Sequence, residues 1–195
     1  MKSSRSFYNR FYMLYPVADF FFKSKKKKLA AVINALPAGD ILEIGIGNGS
    51  ILPLYTRHKI TGIDLSPKML SVAKARRTSV FAAFMEMNGE ALEFSDGSFD
   101  YVVISHVLSV TGDPEKMVRE SHRVLKPGGR LLIQNHFTPG NYLRYIDQLF
   151  DLVTPLFCFR SKFLLHSLAA LQLFRNVKQI GSGPGKYFKI IILEK

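Results

Sequence analysis

The chain predicts an α/β fold in which helices cover both faces of an open parallel sheet. Three observations predict it. Short runs of branched and apolar residues alternate with segments patterned for helices between Ile41 and Phe137, which implies right-handed crossovers between parallel strands. A glycine loop, Glu43-Ile44-Gly45-Ile46-Gly47-Asn48-Gly49, directly follows the first apolar run, Ile41-Leu42. The continuous run from Phe99 to Ser105 has the composition of a strand buried on both faces of such a sheet. A length of 195 residues gives one domain with a sizeable core. It divides into an N-terminal basic and aromatic segment (1–36), a central α/β core (37–137) and a final segment of helices and strands (138–195).

Element by element, a helix is expected from about Val17, with Pro16 in its first turn, to Leu36, where Pro37-Ala38-Gly39-Asp40 stops it. Strand one is read as Ile41 to Gly45, a helix as Ser50 to Thr56, and strand two as Lys59 to Asp64. Pro67 to Ala75 reads as a short helix and Val80 to Met87 as the third strand. Strand four is Phe99 to Ser105. Asp113-Pro114 caps and opens a helix that ends at Leu125, and Arg130 to Phe137 is strand five. Asn141 to Asn176 reads as two helices broken near Pro155. Val177 to Gly181 and Tyr187 to Glu194 close the chain.

The glycine loop has the spacing G-x-G-x-G. It departs from the dinucleotide fingerprint because Ser50 stands where a third spaced glycine would be. Glu43, two residues before the first glycine, suits a ligand with an amino group and a sulfonium charge better than one with a pyrophosphate. Asp64 ends strand two nineteen residues after Gly45, where a ribose diol would be held. Together with Asp64-Leu65-Ser66-Pro67-Lys68-Met69-Leu70, Ser98-Phe99-Asp100 and Arg123-Val124-Leu125-Lys126-Pro127-Gly128-Gly129, these motifs resemble class I S-adenosylmethionine-dependent methyltransferases. Within that group the chain is similar to the bacterial soluble-type phosphatidylethanolamine N-methyltransferases. Ser50 to Tyr55, Asn135-His136-Phe137 and Pro16-Val17-Ala18-Asp19 carry the narrower likeness. Two departures from that family stand out: Asn88 in place of Asp, and Ala18 in place of Tyr.

The resemblance implies a Rossmann-like, seven-stranded, mostly parallel sheet with its last strand antiparallel, S-adenosylmethionine as cofactor and S-adenosylhomocysteine as product. It places Glu43, Gly45, Gly47, Asn48 and Gly49 around the methionine part. Asp64 falls on the ribose, Leu65 and Met69 on the adenine face, and Asn88, Gly89, Glu90 and Ser105 along the rest of the cofactor. An Asn can still accept from the adenine amine through its side-chain oxygen. His106 lies just past strand four and His136 at the end of strand five, on the rim where a methyl acceptor must sit; His106 reads either as a packing or cofactor contact or as a base, and His136 either as a base or as a packing contact. Tyr12, with Tyr8 and Tyr15, is expected either to close over the methionine part or simply to pack.

The charge is located at the ends. The formal net charge is +12; residues 1–30 carry +7, residues 31–139 are neutral, and residues 140–195 carry +5. Both ends are also apolar, with Phe20-Phe21-Phe22 before the Lys25–Lys28 run and many Leu and Phe between 149 and 174. Basic residues beside such surface predict helical cap segments and an anionic membrane surface as partner, and the resemblance to the phosphatidylethanolamine N-methyltransferases implies an amine-bearing phospholipid as acceptor. The bland alternative is a core-facing stripe with a solvated lysine run. A quinone precursor or another hydrophobic small molecule is the competing acceptor, and a cofactor-binding protein without turnover the competing non-enzyme. No N-P-P-Y-like tetrapeptide or Pro-Cys nucleophile points to nucleic acid. Cys158 is the single cysteine and has no Cys or His spacing partner, which predicts no metal site and a reducing, cytoplasmic setting. No secretory leader is read at the N-terminus, and no uncharged run approaches the roughly 18 residues of a membrane span; peripheral attachment at the inner face is expected.

Overall fold

The computed structural model describes residues 15–136, 168–182 and 188–195. Its elements are α1 (Tyr15–Asn34), β1 (Asp40–Ile44), β2 (Lys59–Asp64), α2 (Pro67–Lys74), β3 (Ala82–Glu86), β4 (Phe99–Ser105), α3 (Pro114–Val124), β5 (Leu125–His136), β6 (Arg175–Ser182) and β7 (Phe188–Glu194). The seven strands form one sheet in the order β3-β2-β1-β4-β5-β7-β6. Neighbours from β3 to β5 pair in parallel, and β7 is antiparallel to both β5 and β6. The Rossmann-like, seven-stranded, mostly parallel sheet with an antiparallel last strand that the motifs imply is the sheet observed.

Alternation along the strands sorts side chains into two cores. Leu42, Ile44, Val102, Ile104, Leu131 and Ile133 face one side with Met117, Val118 and Val124 of α3. Ile41, Tyr101, Val103 and Leu132 face the other with Leu29, Ala30 and Ile33 of α1. Helices therefore cover both faces, as the period-two pattern requires. The two later helices start on side-chain caps. The Ser66 hydroxyl accepts from the Met69 N–H, the Asp113 carboxylate accepts from the Lys116 N–H, and each cap is followed by proline.

Register aligns the strand ends. Ile44 lies opposite Ile63 and Ile104, and Ile104 opposite Ile133, so Gly45, Asp64, Ser105 and Gln134 all follow on the same rim. Strand order reverses between β1 and β4, and their loops leave toward opposite faces, which opens a cleft there.

Several local expectations are corrected. The helix expected from Ser50 to Thr56 is a 3-10 turn, Leu52–Leu54. Pro53 has no N–H for an α-helical bond, and Leu52, Leu54 and Tyr55 bond three residues back instead. α1 stops at Asn34, two residues before the expected end, and the Leu36 N–H closes a tighter turn onto the Ile33 carbonyl. β5 begins at Leu125, which pairs with Phe99 before the register shifts to Tyr101–Arg130; the Lys126–Gly129 turn is absorbed as a bulge. Of the two helices expected between 141 and 176, residues 137–167 lie outside the described residues. The described remainder is a 3-10 turn, Ala169–Leu173, followed by β6 from Arg175. Arg175 is already drawn into the sheet opposite Glu194.

The Lys25–Lys28 run is mostly not a free surface. The Lys28 ammonium donates to the Gly181 carbonyl at 2.7 Å, the Lys25 ammonium lies 4.3 Å above the Phe188 ring, and Lys26 donates to the Ser50 hydroxyl. Lys23 and Lys27 are the exposed lysines. This half of α1 is built into the domain, so Ile33→Ala should destabilise it by about 2–5 kcal/mol, whereas Lys27→Ala should stay within about 0.5 kcal/mol. Urea unfolding of the two variants checks this.

Candidate active site

The loop after β1 is shaped by backbone bonds that side chains could not replace. Gly45 and Ile46 donate to the Ile63 carbonyl of β2 at 2.8 and 3.0 Å. Gly47 and Gly49 adopt left-handed conformations, with φ +57° and +67°, yet they serve different ends. A Cβ at Gly49 would meet Leu52 at 2.7 Å and Ala73 at 2.9 Å, while one at Gly47 would meet nothing within 4 Å. Gly49 lets the loop pack on α2. Gly47 leaves backbone open to the cleft.

Asp64, at the end of β2, holds that loop. One carboxylate oxygen accepts from the Gly47 N–H and the other from the Ser66 N–H, both at 2.9 Å. Burial raises its pKa, against the backbone bonds that favour the charge. The Leu65 N–H is a third backbone donor to this carboxylate, which keeps acceptor capacity for a ribose hydroxyl among its roughly four lone-pair sites.

Glu43 is buried and accepts from the Tyr55 hydroxyl at 2.9 Å. Burial pushes its carboxyl up to about 7, opposed by the Tyr55 bond and by the positive charge of Lys26. Tyr55 itself is fully buried; that burial and then the Glu43 charge keep its hydroxyl protonated. A cationic group arriving at Glu43 would favour the carboxylate.

These groups border a cavity of about 260 Å³ over the reversal point. Of the residues singled out in the sequence, Glu43, Gly45, Gly47, Asn48, Asp64, Leu65, Met69, Asn88, Gly89, Ser105 and His106 line it. Gly49 and Glu90 do not. Gly49 is turned to α2, as above. One Glu90 oxygen accepts from the Thr111 hydroxyl and the Gly112 and Asp113 N–H groups at 2.5, 2.8 and 3.0 Å, so this carboxylate secures the loop before α3. Asn48 and Asn88 each fold an oxygen onto the backbone two residues on, at Ser50 and Glu90, an Asx turn that shapes the wall. Ser105 donates to Gln134, and Gln134 donates to the Lys25 carbonyl, which ties β4, β5 and α1 together at the rim.

His106 follows β4 with φ +59°, the non-glycine residue of positive φ among those described. Such a conformation costs about 1–2 kcal/mol and turns the chain sharply at the cavity edge. Its ring meets Phe188 edge-on at 5.7 Å. His136 is the last residue of β5, paired with Phe188 through the backbone, and its side chain is outside the described residues. Tyr12 is also outside them.

Sequence reasoning missed Lys26, which lines the cavity with Met87, Val107, Val110, Thr111 and Met117. A signal existed. Lys26 precedes buried Leu29, Ala30 and Ile33 at helical spacing, so it shares their inward stripe.

The donor set fits a nucleoside joined to an amino acid. A buried carboxylate and an ammonium stand at one end, Asp64 and the open Gly47 backbone in the middle, and Leu65, Met69, Met87 and Met117 supply an apolar wall. Fold and site thus define a doubly wound α/β enzyme with a nucleoside-type cofactor at its reversal point. Residues 42–133 match the family model of the methyltransferase domain. The chain is 30% identical over 197 aligned residues to the phosphatidylethanolamine N-methyltransferase of Cereibacter sphaeroides, covering 96% of this chain and 97% of that protein. It is 32% identical over 112 residues to the ubiquinone/menaquinone biosynthesis C-methyltransferase of Desulfotalea psychrophila, covering 55% of this chain and 46% of that one. A solved S-adenosylmethionine-dependent methyltransferase from Thermotoga maritima, described as a possible histamine N-methyltransferase, has the same fold. It superposes with a TM-score of 0.73 at 24% identity, covering 97% and 99% of the two chains. The chain belongs to the S-adenosylmethionine-dependent methyltransferases, with S-adenosylmethionine as methyl donor and S-adenosylhomocysteine as product.

Two outcomes follow from the site's geometry. Gly49→Ala, which must both adopt a left-handed φ and displace Leu52 and Ala73, should lower stability by at least about 2 kcal/mol. Gly47→Ala should cost about 1–2 kcal/mol and weaken S-adenosylhomocysteine binding as its methyl projects toward the cleft. Thermal unfolding and calorimetry on both variants separate the effects.

The second concerns pH. Folded Glu43 holds its proton up to about pH 7, whereas the unfolded chain releases it near 4.5. The native state therefore binds more protons between those values, and this group lowers stability as pH rises through the window, by on the order of 3 kcal/mol. Glu43→Gln removes the titration. Urea unfolding at pH 5 and pH 7.5 should show wild type losing stability relative to the variant.

Proposed function

We propose that this enzyme methylates the amine of a phosphatidylethanolamine-type head group at the cytoplasmic face of a membrane. One observation carries the reading: the likeness to the Cereibacter sphaeroides enzyme runs the length of both proteins, including the ends outside the methyltransferase-domain match. Quinone-biosynthesis relatives align over less: about half of either chain for the Desulfotalea psychrophila enzyme, and 73% of this chain and 66% of that protein for the demethylmenaquinone methyltransferase of Tropheryma whipplei.

A second observation favours a polar acceptor. Asn135, next to the end of β5, is fully buried, and neither polar atom of its side chain has a hydrogen-bond partner among the described residues. Buried amides are nearly always paired. Asn135 stands behind the residues that line the cavity; an acceptor that reaches it with both donors and oxygens, as a zwitterionic head group has, supplies both partners, whereas a quinone's carbonyls serve the amide N–H and leave its oxygen without a donor.

Bound S-adenosylmethionine supplies an electrophilic methyl group on a positively charged sulfur. The amine must arrive with a free lone pair in line with that methyl, so the protein's work is alignment, proton removal and exclusion of water. His106, on the rim one strand from Asn135, takes the ammonium proton, and Val107 and Val110 keep the reacting end dry. Among the described residues no helix is long and apolar enough to cross a membrane. Attachment is assigned to exposed Lys23 and Lys27 and to the remaining charge of the basic, apolar ends.

The test supplies purified protein with methyl-labelled S-adenosylmethionine and mixed vesicles of phosphatidylethanolamine and phosphatidylglycerol, with a demethylated menaquinone in parallel. Label should enter phosphatidylethanolamine. Label confined to the quinone would transfer the assignment to the quinone class. Asn135→Leu should reduce lipid methylation roughly tenfold or more, the loss of about 1.4 kcal/mol or more, while leaving thermal stability unchanged or higher, because it removes an orphaned buried amide.

A further inference from the structure

Lys26 belongs by sequence to a basic run and by structure to the cofactor cavity. Its side chain lines the cavity with Glu43 and Ser50 and donates to the Ser50 hydroxyl just after the glycine loop. Its charge also acts on Glu43. The cavity thus presents a buried carboxylate and an ammonium at one end, on two different elements, β1 and α1. That pairing is complementary to a zwitterionic α-amino acid: an ammonium for Glu43 and a carboxylate for Lys26.

We propose that Lys26 is the residue that binds the carboxylate of the cofactor's amino-acid end, and that with Glu43 it makes the cavity select an intact amino-acid-bearing nucleoside over the bare nucleoside. This rests on the reading of the cavity as the cofactor site. Because Lys26 is carried by α1, whose Lys25 carbonyl also accepts from Gln134, the same contact fixes the position of the helix over the strand ends. The basic run thereby divides by function: Lys26 serves the cofactor, and Lys27, exposed one residue on, does not.

The test measures binding of S-adenosylhomocysteine and of 5′-methylthioadenosine, which lacks the amino acid, to wild type, Lys26→Met, Lys26→Gln and Lys27→Met by calorimetry. Each variant's thermal unfolding is recorded. Lys26→Met and Lys26→Gln should weaken S-adenosylhomocysteine about tenfold or more, as loss of a charge-assisted bond does. Both should leave methylthioadenosine within about twofold of wild type. Lys27→Met should leave both ligands unchanged. If Lys26→Gln, the variant that keeps a donor for Ser50, binds S-adenosylhomocysteine as wild type does, or loses both ligands equally, the assignment is overturned. Wild type that binds neither ligand would instead contradict the cofactor reading of the cavity itself.

Discussion

The site depends on the hydrogen bond from the Gly47 N–H to the Asp64 carboxylate. It joins the turn after β1 to the end of β2, and it fixes at once the loop that leaves backbone facing the cleft and the acid that would meet the ribose. The bond is possible because parallel register brings Ile44 level with Ile63, so the residues that follow them emerge side by side. Gly47 must take a left-handed turn to make it, and the space a Cβ would occupy is part of the cavity wall. Burial raises the pKa of this carboxyl, and the backbone donors that hold it in place oppose the rise.

The remaining parts of the site are arranged around that junction by polar contacts to backbone. Glu90 braces the loop before α3, Arg76 donates to the Asn48 carbonyl at 2.6 Å, and Gln134 connects the ends of β4 and β5 to α1. None of these groups needs to touch ligand to matter. They limit the freedom of those that do, which is how a rigid strand rim is converted into a site with fixed donors and acceptors.

The fold was legible because its signals are local. Glycines in a loop, proline after a side-chain cap and apolar runs between turns each dictate one element, and the parallel order followed from their alternation. The site was legible where a side chain's role follows from position at a strand end, as for Asp64 and Glu43. It was less so where partners are brought from afar. Glu90 looks like its cavity-lining neighbours Asn88 and Gly89 in sequence, but its bonds to residues 111–113 depend on the loop before α3. Lys26 was hidden by its neighbours: four consecutive lysines suggest a solvated face, and only the inward stripe of Leu29, Ala30 and Ile33 reveals which of them turns in. The helix expected from Ser50 to Thr56 is a 3-10 turn at Leu52–Leu54 because Pro53 supplies no N–H for the α-helical ladder, which apolar composition alone does not show.

The central claim is that the cavity at the β1/β4 reversal holds the methyl donor with Asp64 on its ribose. A crystal structure of the protein with S-adenosylhomocysteine tests it most directly. The account predicts both ribose hydroxyls within hydrogen-bond distance of the Asp64 carboxylate, with the Gly47 N–H bond retained. Ligand density elsewhere, or a ribose that leaves Asp64 facing only Gly47 and Ser66, would contradict it.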